Sequence, residues 1–99
     1  MIFFIRSSVA ASGKFAEARA LSKELSELAA RIIGRPTQAM IKVGATVGTV
    51  GWTTTFDNLS DLEAALVKMA ASSEFAAIAK RTAGVLIDGS IHDQIWRHV

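Results

Sequence analysis

Two arginines, two tryptophans and a histidine are the residues whose chemistry stands out from an otherwise apolar chain. Arg6 lies near the end of the first apolar run and Arg97 within the last, and two guanidinium groups on strands of one sheet could bind a carboxylate or an enolate. The competing use of these cations is an ion pair with Asp57, Asp88 or Asp93 at a strand end. Trp52 and Trp96 are large enough to wall a pocket by stacking on a planar ligand, although an aromatic on an apolar strand more often fills a core or an interface. His98 is the further candidate polar group. The only other imidazole, His92, lies six residues before it, about 20 Å away along a strand, too far for the two to share one metal.

The remaining catalytic vocabulary is thin. With no cysteine there is no disulfide, thiolate nucleophile or thiolate metal site, and nothing indicates an oxidising compartment. No G-x-S-x-G elbow is present. Gly44, Gly48 and Gly51 do not make a phosphate loop, because neither a Lys-Ser/Thr pair nor a helix follows them. Asp57, Asp61 and Glu63 cluster at a predicted helix start, where the helix dipole accounts for them. No metal or cofactor is expected on these grounds.

These residues must be positioned by a small amount of structure. Ninety-nine residues suffice for one domain, 1–99, which at this size buries roughly two-thirds of the unfolded chain's surface. Hydrophobic residues make up 51% of the chain and charged residues 20%, below the ~25% usual in soluble domains. A monomer so small cannot hide that excess, so a subunit contact is expected. The net charge of +2 is no nucleic-acid footprint, and the lack of Tyr and of a basic sheet surface argues against single-strand RNA binding. The apolar start after Met1 is short and has no basic residue before it, unlike a signal peptide. The longest uncharged stretch, Val43 to Phe56, falls short of the ~20 residues of a membrane span. A cytoplasmic protein without membrane or nucleic-acid partners is expected.

Ile2 to Ser8 reads as a strand. Phe15, Ala18, Leu21, Leu25, Leu28 and Ile32 then recur at helical spacing, with Ser12 as predicted cap and Gly34 before Pro36 as the stop. Thr37 to Val47 and Thr49 to Asp57 form a predicted antiparallel hairpin around Gly48. Neither face of it is polar: Ile41, Val43, Ala45 and Val47 fall on one side, and Met40, Gly44 and Thr46 on the other with only Lys42 charged. Helices cover one face, so a second copy of the sheet is the economical cover for the other, with Ile41, Val43, Val47 and Val50 as predicted interface residues. Ser60 and Glu63 form a capping box before Leu62, Leu66 and Met69. Ser73 is the predicted cap of a further short helix ended by Gly84, and Ile91 to Val99 alternates as a final strand.

The β-α-β-β-α-β order, the helix from Gly13 to Ile33 carrying Arg31, the run Val47-Gly48-Thr49-Val50-Gly51-Trp52 entering the third strand, and a second helix restarting at Ser73-Glu74-Phe75 resemble the dimeric α+β barrel proteins. The resemblance covers nearly the whole chain and implies a ferredoxin-like α+β subunit with a four-stranded antiparallel sheet, two of which pack sheet against sheet as a barrel. Its members include antibiotic-biosynthesis monooxygenases, haem-degrading monooxygenases, muconolactone isomerases and stress-induced proteins. The haem-degrading branch uses an Asn on the first strand, a Trp on the third and a His on a later helix. Trp52 matches, but Ile2 to Ser8 contains no Asn and Leu62 to Arg81 no His. The implied function is a cofactor-independent small-molecule enzyme of monooxygenase-like or isomerase-like kind, with Arg6, Trp52, Trp96, Arg97 and His98 as candidate pocket residues. The alternative is a non-catalytic ligand-binding or stress-response homodimer.

Overall fold

The computed structural model describes residues 1–44 and 47–99. In chain order the described elements are β1 (Ile2–Val9), α1 (Phe15–Ile33), β2 (Thr37–Ile41), β3 (Thr49–Phe56), α2 (Leu59–Ala71), α3 (Ser73–Lys80) and β4 (His92–Arg97). The strands form one antiparallel sheet in the order β2-β3-β1-β4. The helices pack on one of its faces, giving the ferredoxin-like α+β arrangement that the sequence resemblance implied. No described helix is long and apolar enough to cross a membrane.

Strand alternation decides which side chains meet the helices. In β3 every second residue, Val50, Trp52, Thr54 and Phe56, is buried, and the register sets these opposite Ser8, Arg6, Phe4 and Ile2 of β1. Against this face α1 lays Ala18, Leu21, Leu28 and Ala29, while α2 adds Leu62, Ala65 and Met69. One core cluster centres on Phe4, Trp52 and Phe56, and a smaller one joins Ala18, Leu21, Val50 and Val85. Polar groups in this layer are satisfied locally: the hydroxyl of Ser22 donates to the Gly51 carbonyl at 2.7 Å, and that of Thr54 to the Pro36 carbonyl at 2.9 Å.

The element ends depart from the expected caps. Gly13, at φ 75°, turns the chain between Ser12 and the helix, so α1 begins after Lys14 without a side-chain cap. Its other end is as expected, with Gly34 in the left-handed region donating its N–H to the Ala30 carbonyl. Asn58, not Ser60, caps α2, its side-chain oxygen accepting from the Asp61 N–H at 2.9 Å. A good cap two residues earlier captures the helix start, and Ser60 and Glu63 fall inside the helix. Likewise Ser72, not Ser73, caps α3 by accepting from the Phe75 N–H.

β2 is shorter than Thr37 to Val47. It ends at Ile41, although Lys42 N–H still donates to the Thr49 carbonyl. The expected alternation of interface residues therefore fails. Val43 and Val47 lie outside any strand and are almost wholly exposed, and Ala45 and Thr46 lie outside the described residues. Ile41 pairs with Val50, which puts it on the helix side of the sheet near its edge, beside Arg19, Lys23 and Met40. Val50 is 3% exposed and packed beneath α1, in the core of its own chain. The face away from the helices carries Phe3, Ile5, Met40, Thr53, Thr55 and Trp96 instead.

Candidate functional site

The two layers do not close completely where α1 and α3 cross the middle of the sheet. A cavity of about 110 Å³ remains there, walled by Leu21, Leu25, Val50, Trp52, Phe75 and Leu86. Each wall residue follows from a local pattern. Leu21 and Leu25 are one helical turn apart on α1, Phe75 sits in the first turn of α3 directly after its Ser72 cap, and Trp52 is a helix-facing residue of β3. Leu86 comes from the segment between α3 and β4, which is tied to the end of β1 by the Ile87 N–H to Val9 carbonyl bond and to the residues just after it by the Ala11 N–H to Val85 carbonyl bond. Outside the cavity lining, Arg81, just past α3, holds Glu24 of α1 through two hydrogen bonds of 2.9 Å. Those bonds, with the charge of Arg81, keep the Glu24 carboxyl below its ordinary pKa.

Arg6 is the one charged residue lining the cavity among the described residues. It stands directly opposite Trp52 on β3 and Asp93 on β4. Its guanidinium lies 5.7 Å from the Phe4 ring centre and 6.0 Å from that of Trp52, within the range of cation–π attraction. Asp93 takes it side-on, Nε to Oδ1 at 2.8 Å and Nη2 to Oδ2 at 2.9 Å. The expectation that a strand-end aspartate would hold this arginine is met, and the partner is Asp93 alone of the three considered.

The five candidate pocket residues therefore separate. Arg6 and Trp52 come together at the cavity, while Trp96, Arg97 and His98 do not reach it. Trp96 pairs with Phe3, so it projects from the opposite face of the sheet, where it is 61% exposed and its indole N–H donates weakly to Gln94 at 3.4 Å. Arg97 pairs with Ile2, four residues along β4 from Asp93, and is about 13 Å of strand away from the level of Arg6. The proposed two-arginine clamp is thus not formed: both lie on one face, but at opposite ends of the strand pair. His98 lies past the end of β4, where its backbone N–H donates to the Met1 carbonyl. Among the described residues no group of three His, Cys, Asp or Glu side chains is placed to hold a metal.

Sequence reasoning missed Phe75, Leu86 and the Leu21/Leu25 wall as site residues. The helical period marked the α1 pair as inward-facing, but nothing in a period distinguishes a residue that fills a core from one that borders a void. The polar atoms at the cavity are few and mostly committed: the Ser22 hydroxyl bonds to Gly51, and that of Thr82 to the Ala79 carbonyl. The site is thus an apolar recess with one ion-paired guanidinium in its wall, suited to holding a ligand more than to moving protons.

The fold and the cavity between its layers define a ferredoxin-like α+β protein with an apolar recess under the helices. The chain is similar in structure to a NIPSNAP domain protein from Burkholderia xenovorans, with a TM-score of 0.81 at 15% identity, covering 100% of this chain and 95% of that one. It is similar also to a NIPSNAP family protein from Agrobacterium tumefaciens, with a TM-score of 0.80 at 19% identity, covering 99% and 92%. An antibiotic biosynthesis monooxygenase shares the fold with a TM-score of 0.70 at 12% identity, covering 100% and 99%. No protein-family model and no curated protein matches the sequence.

Proposed function

We propose that this protein is a cytoplasmic homodimer that binds a small, mostly apolar molecule in the recess between its sheet and helices α1 and α3. The observation that carries the reading is the recess itself, walled by apolar side chains with a single cation among them. Pockets of this composition, apolar with few convergent polar groups, are the usual form of small-molecule sites. The ligand test is thermal stability. A compound present at a hundred times its Kd adds about 2.7 kcal/mol to the stability of the folded state. A hit from a small-molecule panel should raise the melting temperature of the natural chain and fail to raise that of Ala79→Phe, whose ring is placed to fill the recess from α3. An undiminished shift in the filled variant would show that the compound binds elsewhere.

The homodimer is supported by the helix-free face. Phe3, Ile5, Met40 and Trp96 lie there among threonines, and none of the described helices covers them. Two copies meeting across these faces would bury them, as in two sheets packed face to face. The natural chain should sediment at twice its 10.5 kDa mass at micromolar concentration, and Phe3→Asp combined with Trp96→Asp should weaken association at least a hundredfold. A natural chain that sediments as a single copy at that concentration ends this part of the reading.

A second reading, catalysis without a cofactor of the monooxygenase-like or isomerase-like kind, is favoured by the shared fold with an antibiotic biosynthesis monooxygenase. On this reading the recess excludes water and Arg6 stabilises negative charge that develops on a substrate oxygen. It differs from simple binding in one measurable respect: Arg6→Gln would lower kcat far more than it raises KM.

A further inference from the structure

We infer, building on the ligand recess proposed above, that the recess selects uncharged molecules. The bidentate carboxylate of Asp93 cancels the charge of Arg6 in the recess wall, so the molecule admitted is compact, neutral and apolar, with one hydrogen-bond acceptor.

Arg6 is on the helix side of β1, between Phe4 and Ser8, where alternation would ordinarily place an apolar residue. A lone guanidinium in that setting would draw an anion into the recess, which is the carboxylate- or enolate-binding role its sequence position suggested. The structure gives the anion from within. Asp93 faces Arg6 in the strand register and occupies both Nε and Nη2. An incoming carboxylate must then displace Asp93, which leaves a carboxylate without its partner, or share the guanidinium with it and bring two anions together. Both cost free energy that a neutral ligand avoids. Such a ligand needs only the remaining nitrogen, Nη1, which has no acceptor among the described residues.

The walls and size set the rest of the description. Leu21, Leu25, Phe75 and Leu86 offer no hydrogen bonds from their side chains, and the ring of Trp52 is itself packed against Phe4. The volume of about 110 Å³ is near that of engineered apolar cavities, about 150 Å³, that hold one benzene ring. Phenol and benzoate match this scale and differ in charge at neutral pH, which makes them a direct pair of probes.

The experiment uses the full chain carrying Trp96→Phe, so that Trp52 is the only indole and its emission reports on the recess. Phenol should perturb that emission with a Kd at least tenfold below that of benzoate. Asp93→Asn on the same background frees the charge of Arg6, and benzoate should then bind at least tenfold more tightly while phenol changes less than threefold. Benzoate binding as well as phenol in the parent overturns charge selection and leaves the recess standing. A benzoate affinity that does not rise in Asp93→Asn overturns the role given to Asp93. Silence of both probes in the folded parent overturns the ligand recess itself and this inference with it. The comparison in the parent needs no variant of Asp93, so it decides the matter even where that variant does not fold.

Discussion

Gly51→Ala is expected to destabilise the protein by about 3 kcal/mol or more, near the upper end for overpacking, although it adds a single methyl group. A Cβ at this position would meet the Arg6 carbonyl oxygen well inside contact distance, and would lie 3.1 Å from Ser7 Cα and 3.2 Å from the Arg6 carbonyl carbon. These are main-chain atoms of the central strand, so no rotamer change relieves the clash. β1 and β3 must separate at the level of Arg6 and Trp52, which line the apolar recess. Denaturant unfolding of the variant should show a much lower midpoint, with the matched substitution Gly44→Ala within about 0.5 kcal/mol of the natural chain, since nothing lies within 4 Å of a Cβ there. Equal stability of the two variants would mean that the strands do not approach as closely as described.

Phe4→Ala should cost about 3–5 kcal/mol, the range for removing a buried aromatic ring. Phe4 is 1% exposed, its ring centre is 5.5 Å from that of Trp52 at a tilt of 53°, and the Arg6 guanidinium lies over it. Removing it enlarges the recess from below and takes away one of the two rings that steady the arginine. The emission of Trp52 should therefore shift to longer wavelength as water approaches, together with the loss of stability. A cost below about 1 kcal/mol would contradict the packing of this cluster.

The layout of the fold was legible because each element announces itself by period: the Leu21, Leu25, Leu28 stripe of α1, the start of β3 after Gly48 and the break before α3 all lie where spacing put them. Caps were misread by one or two residues because Asn58, Ser60, Ser72 and Ser73 are all chemically fit to cap, and the choice among them depends on how the helix docks. The interface residues were misread for a related reason. Alternation is meaningful only while the chain stays in a strand, and β2 ends at Ile41, so Val43 and Val47 lose any fixed side. Of the pocket candidates, Arg6 and Trp52 came together because they are register partners. Arg97 and Asp93 compete for the same reasoning in sequence, and only the offset between β1 and β4 decides that Asp93 is the neighbour.

The position of β1 has a consequence for how the chain reaches its native state. This strand, with its Ile2-Phe3-Phe4-Ile5 run, is made before either of its neighbours yet lies between β3 and β4, whose partner residues are about half a chain and nearly a whole chain away. During synthesis its main chain cannot be bonded on both flanks until residues 92–97 have left the ribosome. Until then an oily, strand-forming segment has a free edge, the condition under which nascent chains associate with one another or are held by chaperones.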